Sequence, residues 1–139
     1  MKTVCGIEIS GNAANIVILE GNKRDFSPTK LELKQINLDD DRDQNQIIAF
    51  HEAIENFIRQ SNVDKLCVRR PSTSGKVIAS PTDFKIEAIL QLSTIPVQLL
   101  HPTRISSTMK KTRIPEEKYE DIHKNLRAAF DVAFCGLDD

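Results

Sequence analysis

The 139-residue sequence predicts an α/β fold on a five-stranded mixed sheet, three antiparallel strands then two parallel ones, flanked by helices. Three observations carry that expectation. The first third of the chain holds short apolar or alternating runs separated by turn residues, the pattern of an antiparallel meander. The remainder alternates two further short strands with helically spaced apolar residues, which lays helices on the sheet faces. Turn and capping residues fall at the joins between these runs.

The elements follow in order. Val4, Cys5, Ile7 and Ile9 mark a buried first strand over residues 3–9, interrupted by Glu8. Ser10-Gly11-Asn12 is turn chemistry, and residues 15–19 read as a second strand. The stretch Glu20-Gly21-Asn22-Lys23 predicts a tight reversal. Lys30–Ile36 alternates polar and apolar side chains and reads as one half-buried third strand. Asp43 with Gln46 predicts a capping box, in which side chains satisfy the free N–H groups of a helix start. The helix behind it buries Ile47, Phe50, Ile54, Phe57 and Ile58. That makes Asp39–Asp43 a loop and helix start; the glycine and later glutamate of a calcium loop are missing.

Residues 64–68 predict a fourth strand running into Arg69-Arg70-Pro71. Ser80-Pro81-Thr82-Asp83 is a strong helix start, with a capping serine, a first-turn proline and an acid at the positive dipole end. Ile86, Ile89, Leu90 and Leu92 are expected on the buried face of that helix. Residues 96–100 read as the fifth strand. His101-Pro102-Thr103 opens a helix or loop that ends in Lys110-Lys111-Thr112-Arg113. Pro115-Glu116-Glu117 is expected to start a last helix burying Ile122, Leu126, Ala129, Phe130, Ala133 and Leu137.

The length suits one domain, 1–139. No apolar run approaches the ~18 residues of a membrane span, and no secretory signal precedes the first strand. Cys5, Cys67 and Cys135 are odd in number, far apart and set in apolar runs. They read as buried reduced thiols, which points to the cytoplasm, and they lack metal-ligand spacing. His51, His101 and His123 are scattered as well. The net charge of −1 conceals an asymmetry. Residues 1–64 carry 7 basic and 11 acidic groups, net −4, and residues 114–139 carry 3 and 7, net −4. Between them, residues 65–113 carry 9 basic and 2 acidic groups, net +7. A basic segment of this kind is either a polyanion footprint or is neutralised by the acidic segments folding against it.

Charge meets buried elements at three places: Glu8 in the first strand, Arg69 and Arg70 at the end of the fourth, and Asp131 in the apolar last helix. The stretch Ser72–Lys76 lacks the first glycine of a phosphate loop, and Val77 stands where Ser or Thr is required. One Tyr, no Trp and a set of core-like Phe leave little aromatic surface for stacking bases.

The order of elements resembles the ribonuclease-H-like superfamily, and the motifs resemble its Holliday-junction-resolvase branch. Gly6-Ile7-Glu8-Ile9-Ser10-Gly11 is similar to that branch's opening G-I-D-x-G, Gly75-Lys76 to its G-K-N loop, and Phe130–Phe134 to its C-terminal A-D-A-L-A helix. The segment from Pro96-Val97 to His101-Pro102-Thr103 is similar to its fifth strand and the stretch directly after that strand. Within the superfamily the chain looks closest to a small bacterial family of uncharacterised proteins, a domain of unknown function. The resemblance implies a metal-ligand set, from which the chain departs. The first ligand is Glu8 in place of aspartate, the second aligns with Arg69 in place of glutamate, and a third falls on Ala128, leaving Glu8 and Asp131.

A degenerate, non-nuclease member is therefore expected, binding DNA or RNA without a cofactor through the basic segment 69–113. Arg69, Arg70, Lys76, Arg104, Lys110 and Lys111 are the candidate contacts. In this reading the guanidinium of Arg69 or Arg70 takes the place of metal, bridging Glu8 and Asp131 in an ion triad. Two alternatives stay open: a Mg²⁺-dependent nuclease using Glu8 and Asp131, and a module whose basic face meets an acidic protein. Asp131 also has a plain structural reading, an ion pair with Arg127 one turn earlier.

Overall fold

The computed structural model describes residues 2–75 and 78–139. Among these, six strands form one mixed sheet. β1 (Thr3–Ser10) and β2 (Ala13–Gly21) make the central hairpin. Its two-residue turn places Gly11 and Asn12 at φ of 57° and 61°. Both are left-handed, the conformation whose twist suits a tight hairpin. β3 (Phe26–Pro28) and β4 (Gln35–Asn37) both pair antiparallel with the outer edge of β2. β5 (Lys65–Arg69) and β6 (Val97–Leu100) extend the other side, each parallel to its neighbour. The order is β3-β2-β1-β5-β6, with β4 also beside β2.

The run Lys30–Ile36 is not one strand. The third position of the sheet is divided between β3 and β4. Thr29 N–H donates to Ile18 O at 2.9 Å, and Ile16 N–H donates to Lys34 O at 2.9 Å. These partners lie two residues apart on β2 and five apart on the outer chain, so the intervening residues leave the ladder. Leu31 still packs on the core, whereas Leu33 is exposed.

α1 (Gln44–Gln60) begins at Asp43, whose side chain accepts from Asn45 N–H at 2.9 Å. The expected capping box is incomplete, because Gln46 Oε1 reaches past Asp43 to accept from Asp40 N–H at 2.9 Å. α2 (Pro81–Leu90) carries the reciprocal Ser80–Asp83 box and the first-turn proline. Leu92 lies beyond its end and is exposed, not part of its buried face. Asp41 joins the two helices, accepting from Thr82 Oγ1 at 3.0 Å and pairing with Lys85 at 3.3 Å. α3 (Pro102–Lys110) is capped by His101 Nδ1, which accepts from Thr103 N–H at 3.1 Å.

The last helix does not start at Pro115. Short 3-10 turns occupy Glu116–Tyr119 and Lys124–Leu126, and α4 runs from Arg127 to Gly136. His123 is extended, with ψ of 143°, and its Nδ1 accepts from Asn125 N–H. A residue acting as an N-cap cannot also continue a helix, so the chain breaks there. Ile122 keeps its apolar contact despite the break.

The sheet is covered on both faces. Cys5, Ile7 and Ile9 of β1 face a core completed by Phe50, Ile54 and Phe57 of α1 and Ile86 and Leu90 of α2. Val4 faces the opposite core with Ala129, Phe130, Ala133 and Phe134 of α4. Strand alternation puts Gly6 and Glu8 on the same face as Val4. A side chain at Gly6 would fall on the Ala129 carbonyl and the Ala133 amide, so this glycine lets α4 lie against β1. The three cysteines are free thiols; Cys5 and Cys67 are buried and Cys135 is partly so. Burial pushes all three upward in pKa, Cys67 to about 11, so they stay protonated at neutral pH.

Candidate functional site

Sheet register assembles the site. Asn15 of β2 lies opposite Glu8 of β1, and Gln35 of β4 opposite Asn15. The parallel pair Ile7–Val68 sets Arg69 of β5 beside Glu8. A polar row, Gln35–Asn15–Glu8–Arg69, thus crosses four strands at the carboxyl ends of β1 and β5. Crevices outside the carboxyl ends of parallel strands are the usual ligand sites of α/β sheets.

The row is hydrogen-bonded from its outer end inward. Gln35 Nε2 donates to Asn15 Oδ1 at 2.8 Å. Asn15 Nδ2 donates to Glu8 Oε1 at 3.1 Å and approaches Glu8 O and Ser10 Oγ at 3.2 and 3.1 Å. Asn15 is buried, so its amide is immobilised and Glu8 takes a fixed direction. Neither Asn15 nor Gln35 stands out in the sequence. The only signal is at Asn15, a polar residue ahead of the apolar run Ile16–Leu19.

Glu8 and Arg69 open on the α3–α4 face into a cavity of about 550 Å³. Lys110, Ser106, Ile105 and Met109 of α3 and Asp131 of α4 also line it. Of the sequence candidates, the cavity therefore collects Glu8, Arg69, Lys110 and Asp131. Arg70, the next residue along β5, points to the other face, where its Nε lies 3.9 Å from a carboxylate oxygen of Glu87 in α2. Arg104 and Lys111 are exposed on α3 and at its end, and neither lines the cavity. Lys76 lies outside the described residues.

The expected triad is corrected in its detail. Among the described residues, the ion pairs do not include one between Arg69 and either Glu8 or Asp131. The charges share a cavity without closing on one another. Arg70 is removed from the arrangement altogether by strand alternation. Asp131 is half-buried, and this burial raises its carboxyl pKa, with Arg127 opposing the shift. Arg127 is not its ion-pair partner. It stacks on Tyr119, 4.5 Å from the ring centre, and its Nη2 lies 3.9 Å from Glu116.

The donor set does not fit a hydrolytic Mg²⁺ pair. Such ions take oxygen ligands in near-octahedral shells and need several carboxylates. Here two carboxylates share the cavity with a guanidinium and an ammonium, and one oxygen of Glu8 is held by Asn15. Among the described residues, no group of three or more His, Cys, Asp or Glu side chains is placed to hold a metal ion.

The sheet order, the parallel pair beside the meander and the helices on both faces define a ribonuclease-H-like fold. The chain belongs to the family described as "Protein of unknown function (DUF3010)", whose model matches residues 1–136. Its fold is similar to that of RuvC from Thermus thermophilus, with a TM-score of 0.70 at 9% identity over 95% of this chain and 91% of that one. RuvC of the same organism in complex with Holliday junction substrate is similar at a TM-score of 0.63 and 8% identity, covering 96% of this chain and 91% of that one. The Fowlpox virus resolvase in its complex with substrate Holliday junction DNA matches at a TM-score of 0.53 and 10% identity, covering 96% and 95%. No curated protein matches the chain by sequence. No helix among the described residues is long and apolar enough to cross a membrane.

Proposed function

We propose that this protein binds nucleic acid at the α3–α4 cavity without hydrolysing it. The observation that carries this reading is the pairing of Arg69 with Lys110 beside Glu8 and Asp131. Two cations lining one cavity offer a phosphodiester the charge neutralisation that metal ions supply in a hydrolytic centre, and guanidinium presents a planar fork to phosphate oxygens. They supply no activated water, so the phosphodiester is held and not cleaved. The exposed Arg104 and Lys111 extend the positive field along α3 and contribute to encounter. The resolvase-like fold supports the choice of a nucleic acid over other polyanions, since two of the structural neighbours are described with Holliday junction DNA.

The test is a salt titration of binding to labelled linear and branched DNA and RNA, followed by incubation with Mg²⁺ or Mn²⁺. Expected are a linear fall of log affinity with log salt and no cleavage. Cleavage that needs the metal and disappears in both Glu8→Gln and Asp131→Asn would make the protein a nuclease. Affinity that ignores salt, or no affinity, would instead favour a protein partner.

A further inference from the structure

The cavity is not a plain phosphate site. A bare polyanion would meet Arg69 and Lys110 favourably but would also be pressed against Glu8 and Asp131. Like charges so close oppose binding. A fitting ligand therefore carries a hydrogen-bond donor next to its phosphate. The carboxylates are acceptor-only when ionised. Glu8 is held in place by Asn15 through a single oxygen, Oε1, which leaves Oε2 for a donor.

Resting on the nucleic-acid reading above, we infer that the ligand is RNA, its phosphate held by Arg69 and Lys110 and its ribose 2′-hydroxyl donated to Glu8 or Asp131. The 2′-hydroxyl is the one donor that the sugar–phosphate backbone of RNA has and that of DNA lacks, and it is the group by which proteins separate the two. It lies within one nucleotide of the phosphate, so donor and anion arrive together. A volume of about 550 Å³ is of the size that small-ligand sites use. The scarcity of aromatic side chains agrees with recognition through the backbone and not through stacked bases.

The experiment compares three oligomers of about twelve nucleotides, a usual single-strand site size: oligouridylate, oligodeoxyuridylate and 2′-O-methyl oligouridylate. They differ only at the 2′ position. Binding is read by fluorescence anisotropy on the full chain in the presence of a chelator. Oligouridylate is expected to bind about tenfold tighter than the other two, as a hydrogen bond to a charged group allows. Asp131→Ala and Glu8→Ala are each expected to shrink that ratio and, by removing a like charge beside the phosphate, to strengthen oligodeoxyuridylate binding. Asp131 lies mid-helix, where alanine is well tolerated, and the second variant reports if either fails to fold. Equal affinity for all three oligomers overturns the inference and leaves nucleic-acid binding intact. Equal weakening of all three by the carboxylate variants also overturns it. Binding to none overturns the nucleic-acid reading itself.

Discussion

Arg69 and Arg70 are neighbours in sequence with opposite surroundings, and so are the two faces of the sheet on which they lie. On the α1–α2 face, Arg70 approaches Glu87, a carboxylate that is 8% exposed, at the edge of a closed apolar core. On the α3–α4 face, Arg69 stands in an open cavity with two carboxylates and forms an ion pair with neither. One face uses a charge to close a core. The other holds opposite charges apart, which is how a preorganised binding site stores affinity for an external ligand.

The sharpest way to break this contrast is to lift α4 off the sheet. Gly6 is a point of close approach between β1 and α4, and any side chain there meets backbone atoms of α4. Gly6→Ala is expected to cost about 3 kcal/mol, the upper range for overpacking a rigid contact, and to abolish ligand binding with it. Gly11 has open space around it, so Gly11→Ala pays only for its left-handed φ of 57°, about 1 kcal/mol. Urea denaturation of both variants checks the order. A Gly6→Ala protein as stable as the wild type would mean that α4 is not seated as described.

Next in size is the exchange of roles between the arginines. Glu87 Oε2 is buried and accepts no hydrogen bond among the described residues, and Arg70→Ala removes the cation that lies 3.9 Å from it. The expected cost is about 1 kcal/mol, the upper end for a solvent-screened ion pair, because Arg70 is itself half-exposed. Arg69→Ala is expected to change stability by less than about 0.5 kcal/mol. It should weaken oligonucleotide binding and reduce the salt slope by about one. Denaturation and binding measured on both variants form a two-by-two test. The same loss of binding in both would erase the distinction between the faces.

These two arginines also show how much the residues disclosed in advance. Alternation within a strand is a local property, so the buried face of β1 and the anomaly of Glu8 are legible directly. Helix spacing likewise marks Asp131 as a charge in an apolar element. Which arginine joins them depends on where β5 ends and on its register with β1, and register is a long-range property. Asn15 and Gln35 were hidden for the same reason, because only the pairing of three strands brings them to Glu8. The divided third strand and the broken last helix mislead for a different reason. In both, the apolar period is preserved while the backbone departs: Leu31 and Ile122 keep their contacts, but the outer chain leaves the ladder between Thr29 and Lys34, and His123 caps a new turn.

The smallest expected effect concerns the charge that the open face tolerates. Burial raises the Asp131 carboxyl above its usual pKa, and Arg127 recovers part of the shift. The folded state therefore holds this proton more tightly than the unfolded chain. Below the ordinary carboxylate value, about 3.9, Asp131 is neutral in both states and costs nothing. As pH rises through that value and then through the raised folded one, the unfolded chain ionises first and stability falls. At neutral pH the whole cost is present. Asp131→Asn is thus expected to stabilise the protein at pH 7, within the ~0.5 kcal/mol typical of partly exposed positions. The gain should shrink steadily as pH is lowered toward the carboxylate range. Thermal melts of both proteins between pH 7 and about 4 give the difference curve. A gain that grows on acidification would show Asp131 to be held by a favourable charge partner, and the two faces would then use their carboxylates alike.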